Sequence, residues 1–231
     1  YDENKAIFID RDPKYFSHVL NYLRNVDIES NGFDLPDGID LRELSKEAKF
    51  YNIIGLGELP KKYVNSMDTK ILDENQIQDL LDLCQFSTNS KFKLVYRATI
   101  DGFSAANFHQ KCDNIFPTLT IIQTTTGEIL GGYTEQTWAP SASYKNDPIA
   151  FVYSFQNSYN IKYKCKIKNI KQAIYCHTNY GPTFGSDLLI CDKSNISGNS
   201  YRYFGKTYDC YDLTEQSVFT TREIEVFQKI V

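Results

Sequence analysis

Two rhythms of apolar and polar residues run through this chain, and the change from one to the other divides it. Phe16, Val19, Leu20 and Leu23 recur at helical spacing, and Leu41, Leu44, Ala48 and Tyr51 repeat the pattern. The first stripe predicts a helix capped by Asp12, opened by Pro13 and ending near Asn25. The second predicts a helix with a capping-box-like start at Asp40 and Glu43, Ile39 stapled to Leu44, and a stop at Gly55 and Gly57. A strand-like Ala6 to Ile9 precedes both, and turns are expected at Asn31-Gly32 and Pro36-Asp37-Gly38. After the polar connector Val64 to Asp68, Asp73 with Gln76 starts a further helix, whose face continues through Leu80, Leu81 and Cys84.

From Phe92 onward the rhythm shortens to that of strands. Phe92 to Ala98 reads as a strand, and Ser104 caps a short helix carrying His109 and Cys112. The stretch Phe116 to Trp138 is the organising hairpin: Leu119 to Ile122 form one arm and Glu128 to Leu130 begin the other. Gly127 supplies the turn's positive φ. Gly131-Gly132 leave bare backbone for an aromatic to approach, with Trp138 nearby, and the hairpin is expected in the middle of a sheet. Further strands are expected at Ala150–Phe155, Ile161–Lys171, Ala173–Cys176, Asp187–Cys191, Tyr201–Tyr203 and Ile224–Phe227. Eight or so strands with few helices predict a sandwich. Between two of them, Gly181-Pro182-Thr183-Phe184-Gly185 reads as a tight turn that delivers a buried Phe184 and sets Asp187 at the start of the next strand.

Composition narrows the function classes. The 231 residues hold one large or two small domains, and 17 Tyr with 15 Phe favour sheet. A net charge of −4 supplies no overall field for nucleic acid. No apolar run reaches the length of a membrane span, and the opening residues do not read as a signal peptide, so a cytoplasmic protein without membrane insertion is expected. The absence of an initiating Met suggests a truncated start. Six cysteines lie scattered without a C-x-x-C pair; reduced, partly buried thiols are the expectation, with structural disulfides the alternative.

Candidate chemistry is sparse. Ile161 to Lys168 alternate without a slip, which sets Lys162, Lys164, Lys166 and Lys168 in one row and turns Ile161, Tyr163, Cys165 and Ile167 inward. The row is either a solvent face that deters strand-to-strand aggregation or a docking stripe for an acidic partner. Glu223 and Glu225 share a strand face, an arrangement that suits a paired-carboxylate mechanism but is more commonly the charged solvent side of a terminal strand, and they stand as candidates for partner binding. His109 with Cys112, and Cys176 with His177, are the only His/Cys pairings; neither has the further ligands a metal needs, and no cofactor is expected. No G-x-S-x-G elbow or P-loop is present, and Cys112 as a peroxide-reactive thiol is the enzymatic alternative.

Residues 1–63 resemble the second half of a BTB/POZ fold of the potassium-channel tetramerisation (KCTD) type. The resemblance rests on Ile7 to Pro13, Phe16 with Val19 to Arg24, and Leu41, Glu43-Leu44, Glu47-Ala48, Phe50-Tyr51 and Gly55-Leu56. On this reading the family's opening strands and first helix, which precede the Ile7 to Pro13 motif, are not expected among these residues. The remainder, 64–231 including its leading helix, looks like a TLDc domain. The matching residues run in order: Tyr96-Arg97, Asp101 to Ser104, Phe108-His109, Cys112, Pro117 to Leu119, Gly127, Gly131 to Tyr133 and Trp138. They continue with Ala150-Phe151, Ser154-Phe155, Ala173 to Tyr175, Gly181 to Gly185, Asp187-Leu188, Ser200-Tyr201 and Glu223 to Phe227. The family commonly has further glycine before its Asp-Leu, where this chain has only Ser186, so a shorter loop is expected.

Together the resemblances imply an α+β chain: a partial, mostly helical BTB/POZ segment followed by an antiparallel β-sandwich flanked by short helices. They imply a non-enzymatic adaptor that binds the soluble sector of the vacuolar-type proton ATPase or protects against oxidative stress. Its BTB part would self-associate or recruit a cullin ligase. An oligomeric scaffold without a pump partner is the remaining alternative.

Overall fold

The hairpin at Phe116–Trp138 occupies the centre of the larger sheet. The structure, a computed structural model, describes residues 13–25, 39, 41–56, 67–87, 90–157, 161–203, 205–210 and 217–230. The expected strand at Ala6–Ile9, the caps Asp12 and Asp40, Gly57 and the turns at Asn31-Gly32 and Pro36 to Gly38 lie outside the described residues.

The chain divides into two compact units, Tyr1–Asn65 with Ser87–Asn89 and Ser66–Phe86 with Ser90–Val231. In the first, a short 3-10 turn at Pro13–Tyr15 leads into α1 (Phe16–Asn25), and α2 (Leu41–Phe50) follows. Tyr15, Val19, Leu44, Ala48 and Leu56 form its core, with Tyr22, Ile39, Tyr51 and Ile53 packed against them. The buried face here is rotated from the expected stripe: Phe16 and Leu23 are exposed, Val19 is buried as expected, and Tyr15 and Tyr22 join it on the inward face. Side chains three or four positions apart cover a helix face, and this face is settled by what packs on it rather than by hydrophobicity alone.

The second unit opens with α3 (Glu74–Cys84), whose capping box at Asp73 and Gln76 forms as expected. Strand β1 (Phe92–Arg97), the short helices α4 (Ala98–Asp101) and α5 (Ala105–Cys112), and the hairpin of β2 (Thr118–Thr124) and β3 (Ile129–Thr134) follow. The later strands are β4 (Ser143–Lys145), β5 (Phe151–Gln156), β6 (Tyr163–Ile167), β7 (Ile174–Cys176), β8 (Tyr180–Phe184) and β9 (Leu188–Cys191). Four more complete the chain: β10 (Ser200–Arg202), β11 (Tyr208–Asp209), β12 (Ser217–Phe219) and β13 (Thr221–Lys229). They form an antiparallel seven-stranded sheet in the order β1-β13-β2-β3-β5-β6-β11, a four-stranded sheet β12-β10-β9-β8, and the pair β4-β7.

Inward residues of the large sheet, among them Ile122, Leu130, Val152, Ile224 and Val226, meet Phe184, Leu188 and Ile190 of the smaller sheet, with Phe108 and Cys112 of α5 and Trp138 completing the layer. Gly132 is what lets the layers close here, since a Cβ on it would lie 2.7 Å from the Phe184 ring. Trp138 meets Phe184 edge to face at 5.6 Å, and its indole N–H donates to Thr118 Oγ1 at 3.0 Å.

The stretch Gly181 to Gly185 differs from its expected form. Tyr180–Phe184 is a strand with a register shift between Tyr180 and Thr183, and the turn is the shorter run after Phe184, closed by Asp187 N–H donating to Phe184 O at 3.1 Å. Pro182 has no N–H to contribute to a ladder, and an irregular strand tolerates it. Gly185 sits at φ +56°, and a Cβ there would run into Thr207. Asp187 is fully buried and accepts the N–H groups of Gly205, Lys206, Thr207 and Tyr208 at 2.6 to 3.2 Å, fastening that loop beneath the sheet.

Candidate functional site

The lysine row begins as the alternation of β6 demands. Tyr163, Cys165 and Ile167 turn to the inter-sheet core, and the lysines take the opposite face. That face is not simply solvent, because the large sheet is covered on both sides. Leu119, Ile121, Tyr153, Phe155 and Phe227 on it are buried, as are Ile77, Leu80, Leu81 and Cys84 of α3. Lys162 pairs with Asp79 of α3 and lies 4.4 Å from the Phe155 ring centroid. Lys164 donates to the carbonyl of Cys84 at 2.7 Å and sits 4.2 Å above the Phe151 ring. Two of the four lysines therefore hold the helix to the sheet, and Lys166 and Lys168 remain exposed.

A groove opens where α3 ends. Gln85 adopts the left-handed conformation at φ 61°, and Phe86 N–H returns to Leu81 O at 3.0 Å, so the chain doubles back and drives Phe86 onto the sheet. Phe86 meets Tyr133 edge to face at 5.1 Å and Phe151 at 6.0 Å, while Tyr133 and Phe151 stack at 5.3 Å. Lys164 and Lys166 line one side of this aromatic floor, Lys229 approaches Phe86 from β13, and the exposed Ile149 borders it; the volume is about 490 Å³. Burial holds the Lys164 ammonium below the ordinary lysine range, and the charge of Lys166 adds to the effect. Burial pushes the nearby Cys84 thiol up to about 12, so it stays neutral and offers Lys164 no counter-charge. None of Lys164, Lys166 and Lys229 has a carboxylate partner among the described residues.

Glu223 and Glu225 are a correction to the sequence reading. Both are buried rather than solvent-facing, because α4 and the segment before α3 cover their end of β13. Glu225 accepts from Arg97 Nε at 2.8 Å, from Lys70 N–H at 2.9 Å and from Thr69 Oγ1; Glu223 accepts from Thr99 N–H at 3.0 Å and from the Thr99 hydroxyl. Fully engaged carboxylates under a covering segment present nothing to a partner.

The cysteines divide. Cys165 and Cys210 form a disulfide, which corrects the expectation of thiols throughout, whereas Cys84, Cys112, Cys176 and Cys191 are free and buried. Burial, with Asp113 and Asp101 adding to it, drives the Cys112 thiol far above the ordinary range. The imidazole of His109 is occupied elsewhere: Nδ1 faces Asp113 Oδ1 at 2.8 Å and Nε2 faces the carbonyl of His177 at 2.9 Å. A reactive thiol needs exposure and a lowered pKa, and Cys112 has neither. No group of three His, Cys, Asp or Glu side chains converges among the described residues, and no described helix is long and apolar enough to cross a membrane.

A larger hollow of about 690 Å³ lies by the β2–β3 turn, lined by Thr125, Thr126, Asn157 and Ser217 among others. Among its described lining residues the one carboxylate, Glu128, is paired with Arg202 at 2.9 Å, so none of them offers a free charge to select a ligand. Phe86, Tyr133, Phe151 and Lys229 are residues of the lysine groove that sequence reasoning missed. The alternation of Phe151, Tyr153 and Phe155 marks one sheet face, but only the pairing of Phe151 with Lys166 and Tyr153 with Lys164 shows that the aromatics and lysines share it.

Comparison with known proteins gives two family matches. The model of the TLDc domain matches residues 65–229, and that of the BTB/POZ domain matches residues 1–58. BTB/POZ domain-containing protein KCTD5 of Mus musculus is 41% identical over 70 residues, covering 30% of this chain and 28% of the relative; its Homo sapiens counterpart is 42% identical over 69 residues, 30% and 27%. SH3KBP1-binding protein 1 of Bos taurus is 42% identical over 55 residues, 24% of this chain and 7% of the relative. The matched region thus spans little more than a quarter of the KCTD5 proteins.

Proposed function

Because the chain belongs to the TLDc family across residues 65–229 and carries BTB/POZ sequence over residues 1–58, we propose that it is a non-enzymatic protein-interaction adaptor. The TLDc body binds the partner, and the BTB/POZ part sets valency by self-association or recruits a cullin ligase. The partner favoured by the family resemblance is the soluble sector of the vacuolar-type proton ATPase, met in the cytoplasm, with protection against oxidative stress as a consequence of that contact. The observation that carries the adaptor reading is the contrast between two sets of groups. The thiols, the paired carboxylates and the His109 ring are buried or engaged, while the outer sheet face offers lysines over aromatic rings. Linked copies raise avidity without any new contact, which gives a self-associating segment its use.

The test is capture of the purified soluble sector of the pump by the full chain immobilised on beads. Retention above bead background is expected, and its absence under low-salt conditions removes the pump as partner and leaves an oligomeric scaffold.

A further inference from the structure

We infer that the groove formed by Phe86, Tyr133, Phe151, Lys164, Lys166 and Lys229 is the docking site for an acidic protein segment that carries an apolar anchor. This rests on the adaptor reading and names the chemistry of what the TLDc body binds. Three observations converge. Three lysines ring one opening, and none of them has a carboxylate within ion-pair distance among the described residues, in a chain whose net charge is −4. The floor between them is aromatic, with Phe86, Tyr133 and Phe151 in mutual contact; Tyr133 and Phe151 are buried, and the half-buried Phe86 with the exposed Ile149 at the border gives the accessible apolar surface. Lys164 is half-buried with a carbonyl for its contact, so its charge is poorly solvated and gains more than an exposed lysine from an incoming carboxylate.

The mixture selects the occupant. A bare anion satisfies the lysines and leaves Phe86 and Ile149 wet, whereas an apolar segment covers these two and leaves the charges unpaired. A segment with acidic residues flanking one aromatic or aliphatic side chain satisfies both. Glu135, which accepts from Tyr133 Oη at 3.1 Å, adds direction, because it repels carboxylates at its own border and confines them to the lysine side.

The experiment uses the full chain and a fluorescent peptide of alternating Asp and Glu around a central Phe-Leu pair, followed by anisotropy. Binding is expected to weaken as salt rises, and Lys166→Glu with Lys229→Glu is expected to weaken it at least about tenfold. The milder Lys166→Gln with Lys229→Gln, which keeps the surface polar if the charge reversal disturbs folding, is expected to lose about threefold. The same peptide with every acid replaced by its amide is expected not to bind. Equal affinity for wild type and both double variants overturns the proposal. So does failure of the acidic peptide to bind, or binding of anionic lipid vesicles or polyphosphate in its place. Pump-sector capture, run in parallel on wild type, separates the two readings: capture without peptide binding removes only the groove, and peptide binding without capture removes only the pump.

Discussion

At the scale of single residues, Glu225 is the side chain whose chemistry the structure changes most. It sits fully buried on β13, yet it joins its own strand to two other pieces of chain: Arg97 at the end of β1 and the Thr69-Lys70 segment ahead of α3. Removing one partner of such a pair leaves an uncompensated buried charge on the other, a cost of about 3 to 5 kcal/mol. Glu225→Gln is therefore expected to lower stability by about 3 kcal/mol, read as a shift of the urea midpoint, whereas Lys168→Ala on the exposed part of the lysine row stays within about 0.5 kcal/mol. Equal midpoints for the two variants would show that the buried carboxylate contributes nothing.

Among elements, the contact between β3 and β8 sets how closely the two sheets approach. Phe184 lies flat over Gly132, and on the opposite face Tyr153 covers Gly131, where an added Cβ would lie 2.6 Å from the Tyr hydroxyl and against Thr120 O. A methyl group at either glycine overpacks a filled layer, and such insertions cost about 1 to 3 kcal/mol. Gly132→Ala is expected in that range by chemical denaturation, with Gly198→Ala, which has open space around it, near zero. The helix α3 is the second decisive element. Its left-handed end at Gln85 delivers Phe86 to the sheet, so the groove is built by a helix terminus meeting a strand face.

Considered as a whole molecule, the chain joins a β body to a second unit in which, among the described residues, two helices contribute to a cluster of five buried side chains with four partly buried neighbours. Self-association of the BTB/POZ part, proposed above from the sequence match over residues 1–58, would set the valency of the whole chain. Light scattering on the full chain is expected to give a mass above the 26.7 kDa of one copy that grows with concentration. A constant single-copy mass across that range speaks against self-association and leaves ligase recruitment as the role of the BTB/POZ part.

What the sequence determined alone is what neighbouring residues settle between themselves. The hairpin about Gly127, the capping box at Asp73, the cap at Ser104 and the alternation of β6 depend on turn chemistry and spacing within a few positions. Tertiary structure decided which faces are covered. Lys162 and Lys164 read as solvent-facing until α3 lies over them, and Glu223 and Glu225 read as surface until α4 and Thr69-Lys70 close on them. Strand period tells two faces apart without telling which one meets water. That depends on partners more than a hundred residues away, as Arg97 is from Glu225, and no local pattern encodes them.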